Sequence, residues 1–187
     1  VEKEDVSPGV ALPKTRDEYL AGLRKKDRHE LRRKLRRIES EGIIRFACVP
    51  HDDLDGAIED LLGFMRRSHD QKVDFLTPRR ESFFRLLTRQ MGKIGFLRLY
   101  FLELNGKRVA AVLCFDFKGI RYLYNSGFNP DYGHLSVGLL LKALCLMDAI
   151  DQGFSYFDFL RGKEPYKYHL GAKDVDLYRL IIDRGNK

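Results

Sequence analysis

The chain has 187 residues, 44% hydrophobic and 33% charged, enough for one domain with a sizeable core; no apolar run is long enough to span a bilayer, no signal peptide is visible, and a cytoplasmic location is expected. Cys48, Cys114 and Cys145 lie far apart in apolar contexts, and the five histidines form no HxH or HExxH pattern, so buried thiols are expected rather than a disulfide framework or a metal site. The formal charge of +7 resides in residues 24–37 (RKKDRHELRRKLRR), since nine of the 34 Lys/Arg and two of the 27 Asp/Glu fall there.

Residues 1–15 contain Pro8, Gly9 and Pro13 and no periodicity, and read as a tail or an extended lead-in. Thr15 or Asp17 opens one amphipathic helix to about Ser40, with Tyr19, Leu20, Leu23, Leu31, Leu35 and Ile38 on its apolar stripe. Its basic outer face is either a solvated surface or a docking surface for an anion: RNA, a phosphorylated carrier, an acidic carrier protein or a membrane. A DNA-binding protein is the weakest reading, because no recognition motif accompanies the charge.

Ile43–Val49 reads as a short strand and Asp52 or Asp53 as the cap of a helix to Ser68. Thr77-Pro78 starts another helix, to about Met91, expected to bury Phe83, Phe84, Leu86 and Leu87. Ile94–Leu104 and Arg108–Phe117 form a hairpin about Asn105-Gly106, and Lys118-Gly119 turns the chain into Ile120–Phe128. Strict alternation there puts Ile120, Tyr122, Tyr124 and Ser126 on one face and Arg121, Leu123 and Asn125 on the other. Ser136 caps a helix to about Gln152, ended by Gly153. Phe154–Leu160 reads as an internal strand, and Val175–Asp183 as a last one.

Asp158 is the exception in the Phe154–Leu160 strand, because a buried carboxylate needs partners. Arg161, Lys163 and Lys167 are near in sequence, with Glu164, Tyr166, Tyr168 and His169 in the same loop. A structural ion pair and a functional site both remain open.

The element order predicts an α+β chain: a central mixed, mostly antiparallel sheet flanked by helices and preceded by the basic amphipathic helix. That order resembles the GCN5-related N-acetyltransferase (GNAT) superfamily. Residues 124–167, with SVG opening the helix, QG ending it and FDFLRGKEPYK after it, resemble the CelD/BioF2-like acetyltransferase domain, which is related to Fem-type aminoacyl transferases. LRKKDRHELRRKLRRIESEG has the same family look, and the resemblance covers about residues 16–183. Relatives often carry a second GNAT-like half upstream. With Val1 rather than Met at its start, the chain is expected to be the C-terminal half of a larger enzyme.

The resemblance implies acyl transfer from acetyl-CoA or another acyl-CoA to an amine on a small molecule, saccharide or peptide. It places the donor's pyrophosphate at the amides of Val137, Gly138 and Leu139, near Ser136 and Gly133. The family's usual Gln/Arg-x-x-Gly-x-Gly/Ala loop is absent, which leaves room for another acyl donor. The pantetheine slot would open between the strands at 120–128 and 154–160, at Tyr124 and Asn125. Asp158 or Glu164 is the candidate base and Tyr166 the acid for the leaving thiolate, with Arg161 or Lys167 holding an acceptor carboxylate or phosphate. His134 and His169 are bases by residue type alone. The rival readings are a Fem-like transferase whose basic helix contacts tRNA, and a non-catalytic GNAT-like assembly module.

Overall fold

The computed structural model describes residues 1–68 and 75–182. Strands β1 (Glu2–Val6) and β2 (Gly9–Ala11) lead into helices α1 (Arg16–Gly22) and α2 (Lys25–Ser40). Strand β3 (Ile44–Cys48) and helices α3 (Leu54–Ser68) and α4 (Pro78–Lys93) precede the long strands β4 (Leu97–Leu104), β5 (Lys107–Phe117) and β6 (Ile120–Phe128). Helix α5 (Val137–Asp151), strand β7 (Tyr156–Asp158), the short helix α6 (Pro165–His169) and strand β8 (Asp176–Arg179) follow.

Six strands form one mixed sheet in the order β2-β7-β6-β5-β4-β3, in which only β6 and β7 run parallel. The sheet has a core on each face. Leu140, Leu141 and Leu146 of α5 pack with α1 and α2 against one face, and Leu61, Leu62 and Met65 of α3 pack with Phe84 of α4 against the other. A fully buried leucine contributes about 2 kcal/mol. The central strand β5 is therefore apolar on both faces, from Val109 to Cys114.

Both turns at the ends of β5 hold two residues with positive φ, Asn105 (51°) with Gly106 (75°) and Lys118 (48°) with Gly119 (74°). That geometry matches strand twist, which is why Asn-Gly and Lys-Gly close these hairpins. Thr77 accepts from the Arg80 amide and caps α4 with Pro78 in its first turn. Gly153 (φ 77°) ends α5, as its sequence position implies.

Five sequence expectations change. The lead-in is built into the fold: β2 pairs with β7, and β1 forms a separate antiparallel ribbon with β8. The last strand thus joins the lead-in outside the central sheet, and its expected end, Asp183, lies outside the described residues. The basic helix is broken at Leu23–Arg24, where ψ reaches 148° and 140°. Asp27 occupies the turn between Leu23 and Leu31 where the stripe needs an apolar residue; its buried carboxylate accepts from Arg24 Nε (2.6 Å) and meets His169 Nδ1 (2.9 Å). On α4 only Phe84 of the four expected apolar residues is fully buried, because Phe84, Thr88 and Gly92 form the inward stripe; Phe83 and Leu86 are 50% and 57% exposed. Cys48 is exposed at the end of β3, while Cys114 and Cys145 are buried.

The fifth change is in β6. Leu113 faces Asn125 but Cys114 faces Leu123, so Tyr124 is an extra residue and the alternation slips there. Gly127 consequently lies against the α3 backbone, where a Cβ would stand 2.5 Å from Met65 N, and Phe128 lies against Gly138 of α5.

Candidate active site

Strands β6 and β7 pair only from Ile120 to Tyr122 and from Tyr156 to Asp158. Two local features then separate them. The bulge at Tyr124 bends β6, and Leu160 (φ 58°) turns the chain out of β7. A cavity of about 530 Å³ opens between them, lined by Leu123 to Ser126 and Phe128 on one side, Phe159 to Arg161, Glu164, Tyr166 and Lys167 on the other, and Lys142 from α5. Tyr124 and Asn125 thus face the same cavity as Arg161, Glu164, Tyr166 and Lys167, which lie far from them in sequence.

Asp158 does not line this cavity. Its Oδ1 accepts from Ser7 Oγ (2.7 Å) and from the Leu160 amide (2.7 Å). The expected basic partners are replaced by a serine of the lead-in, and the carboxylate ties β7's exit to that segment. Asp158→Asn is expected to lower stability by about 1 kcal/mol, and Ser7→Ala to do the same. Chemical denaturation checks this; lost turnover with unchanged stability would instead place Asp158 in the chemistry.

Lys167 lines the cavity, but its ammonium is spent on the fold: 1% exposed, it donates to the carbonyls of Leu160 (2.8 Å), Arg161 (3.0 Å) and Gly162 (3.0 Å) and pairs with Glu164 (2.9 Å). It clasps the αL turn after β7. Arg161 is turned to Asp5 (2.6 Å) and Glu4 (3.3 Å) on β1. Neither cation is presented to a substrate as its sequence position suggests.

Glu164 stands half exposed at the cavity rim. Burial pushes the Tyr166 phenol up, with the Glu164 charge adding to it, so the hydroxyl is protonated at neutral pH. Its ring meets Phe159 edge-on. His134 is exposed beside the Asp131 carbonyl and His169 is held by Asp27, so neither histidine lines the cavity.

The start of α5 is built differently from the expected cradle. Ser136 sits at the cap position with φ 59°, and its hydroxyl accepts from Lys34 Nζ (2.7 Å) instead of capping the helix. The Leu139 amide donates to the Ser136 carbonyl (3.0 Å). Gly138 is a packing glycine, since a Cβ there would lie 3.1 Å from the Phe128 ring. Gly133 has only ordinary contact with that ring. The amides of Val137 and Gly138 still open the helix, and Lys34 brings a cation from α2 beside them.

Two features escaped the sequence reading. Lys142 had a signal, as the one charge in VGLLLKALCLM. Arg121 had little: fully buried, it binds Asp116 (2.7 and 2.9 Å), Asp148 (2.6 Å) and the Cys145 carbonyl (3.1 Å) between the rings of Tyr100 and Phe154. Among the described residues no group of His, Cys, Asp and Glu is placed to hold a metal, and no helix is long and apolar enough to cross a membrane.

The acetyltransferase (GNAT) domain family profile matches residues 25–168. The chain belongs to this family. Among solved structures, the GNAT domain is similar to FemX at TM-score 0.69 and 11% identity, over 92% of this chain and 60% of that one. It is also similar to the C-terminal DUF2156 domain of a protein described as a lysylphosphatidylglycerol synthetase from Agrobacterium fabrum (TM-score 0.61, 12% identity, 93% of this chain and 58% of that one). An aminoglycoside acetyltransferase from an uncultured soil metagenomic sample, in complex with sisomicin, matches at TM-score 0.52 and 12% identity, over 75% of this chain and 97% of that one. At these identities the likeness is one of fold. The GNAT domain spans about 60% of the length of FemX and of the synthetase domain. No curated protein is a significant sequence match. The mixed sheet and its two helical layers are those of a GNAT acyltransferase domain.

Proposed function

We propose that the domain transfers an acyl group from a CoA-type thioester directly to an amine bound in the cavity between β6 and β7. The observation that carries this is the parting of β6 and β7 beyond Tyr122 and Asp158, which leaves strand-edge groups at Tyr124 and Asn125 facing a cavity with Glu164 and Tyr166 opposite. Such edges suit the amides of a pantetheine arm. Lys34 and the first amides of α5 would hold its phosphates, with a lysine taking the place of a glycine-rich loop.

The thioester supplies an electrophilic acyl carbon; proton handling belongs to the chain. Glu164 takes the proton that turns an ammonium acceptor into a nucleophile. As the C–N bond forms and the C–S bond breaks, Tyr166 gives its proton to the departing sulfur and regains one from the new amide nitrogen. Glu164 then releases its proton to water, so the products are amide, thiol and one proton.

Direct transfer is favoured over an acyl-cysteine. Cys114 and Cys145 are buried, and burial together with the neighbouring Cys114 thiol pushes the Cys145 thiol well up. Cys48, exposed at the end of β3, does not line the cavity. Acyl transfer from acetyl-CoA and longer acyl-CoAs to an amine panel, followed by thiol release, tests the reading. Cys145→Ala is expected to keep full turnover, and a stable acyl adduct on any cysteine in intact mass spectra would contradict it.

A second reading draws on the likeness to FemX and on the shallow basic surface of Lys25, Lys26, Arg28, His29 and Arg32 on α2. Here the donor would be an aminoacyl-tRNA, and binding would fall steeply with salt. The exposed Phe83 and Leu86 are what a module docked on an upstream half would present.

A further inference from the structure

Helix α2 is tied at two points to elements that border the cavity. Asp27 meets His169 on α6, the helix that carries Tyr166 and Lys167, and Lys34 donates to Ser136 at the start of α5. Surface arginines elsewhere, such as Arg45, Arg85, Arg89 and Arg108, are each held by a carboxylate. On α2 the acids are already spent: Asp27 is buried with Arg24 and His169, and Glu30 sits between Arg33 and Lys34. Among the described residues, Lys25, Lys26, Arg32, Arg36 and Arg37 have no carboxylate at ion-pair distance. Lys25, His29, Arg32 and Arg36 follow one another on successive turns, a stripe about 16 Å long that stops at Glu39. Lys25, Lys26, Arg28, His29 and Arg32 surround a hollow of about 590 Å³. Like charges one turn apart cost helix stability, and the residues outside 24–37 balance theirs.

The start of α5 offers little to a whole CoA molecule, which brings a pyrophosphate and a ribose phosphate. The Ser136 hydroxyl is taken by Lys34, the Leu139 amide by the Ser136 carbonyl, and Gly138 packs on Phe128. The amides of Val137 and Gly138 with the Lys34 ammonium suit one phosphodiester, the single phosphate of a pantetheine arm attached to a protein serine. We propose that the donor is an acidic carrier protein, whose phosphopantetheine arm enters between β6 and β7 while its carboxylates dock on the outer face of α2. The proposal rests on the acyl-transfer reading of the cavity. The leaving group is then the carrier's pantetheine thiol: the C–S bond breaks, the C–N bond forms, and the products are amide, carrier thiol and one proton. Acetyl-CoA enters by the same arm without the protein contacts. The face suits an acidic protein better than other polyanions. It has no Phe, Tyr or Trp on which an RNA base could stack, and Leu31 and Ile38 are turned into the core, away from any lipid.

Steady-state transfer to one amine, from acetyl-CoA and from an acetylated bacterial acyl carrier protein, tests this. The carrier is expected to give a kcat/KM at least about tenfold above that of acetyl-CoA at low salt, and to lose the advantage as salt rises. The double variant Arg32→Glu/Arg36→Glu should lower turnover of the acetylated carrier at least about tenfold more than turnover of acetyl-CoA. Lys107→Glu, in the turn between β4 and β5, should leave both unchanged. A carrier kcat/KM no higher than that of acetyl-CoA, or an equal fall for both donors in the double variant, would overturn the proposal. So would binding of bulk tRNA, and not of the carrier, that depends on Arg32 and Arg36. Calorimetry with the carrier lacking its arm separates the two claims. Binding that the double variant loses, without transfer from any thioester, would sink the transferase reading and leave the docking face standing; transfer from acetyl-CoA without carrier binding would do the reverse.

Discussion

Arg121→Ala is expected to destabilise the domain by about 3–5 kcal/mol, a large part of the stability of a chain this size. The guanidinium is wholly buried, and its five donors meet Asp116, Asp148, the Cys145 carbonyl and Gln152. Tyr100 Oη (2.8 Å) and Gln152 Nε2 (2.7 Å) complete the shell of Asp148. Removing the arginine leaves Asp148 without its cation and Asp116 with only the partly exposed Arg98 (3.4 Å), and the loss follows from the desolvation of these carboxylates rather than from missing bonds. Arg121→Lys should recover little, because a single ammonium cannot grip Asp116 with a fork and reach Asp148 at the same time. Urea denaturation midpoints measure the effect. A loss below about 1 kcal/mol in the alanine variant would show that water enters and solvates the acids.

Tyr166→Phe is expected to lower kcat/KM by about 10²–10⁴ with the melting temperature unchanged. The variant keeps the ring against Phe159 and under Lys142 and removes only the proton that sulfur needs. Glu164→Gln should cause a loss of similar size, and the double variant should lose less than the product of the two, because both residues manage one proton inventory. Steady-state kinetics with acetyl-CoA and the best amine of the panel measures both. Full activity in Tyr166→Phe would assign the acid to water or to another group.

Much of the fold was legible because its signals are local. Asn105-Gly106 and Lys118-Gly119 specify their turns with two positive-φ positions each, and Thr77-Pro78 and Gly153 mark helix ends by their own chemistry. What stayed hidden depends on partners distant in sequence. Gly9–Ala11 is a strand only because Tyr156–Asp158 lies beside it, and Ser7 finds Asp158 across 151 positions. The bulge at Tyr124 is a register effect between two strands, invisible in the alternation of either. At the site, the loop after β7, singled out in the sequence for Glu164 and Tyr166, brings both to the cavity lining. Charge type could not say which cations serve the fold: Lys167 and Arg161 are spent on carbonyls and on β1, and Lys142 was masked by the apolar helix around it.

The most direct test of the central claim is a thermal-shift titration of the chain with acetyl-CoA, longer acyl-CoAs, free CoA and bulk tRNA at two salt concentrations. Binding to the folded state raises the melting temperature by mass action. A saturable rise with CoA species, weakened in Lys34→Glu beside the start of α5, is the predicted result. No shift with any CoA species, together with a shift from tRNA that disappears at the higher salt, would contradict it.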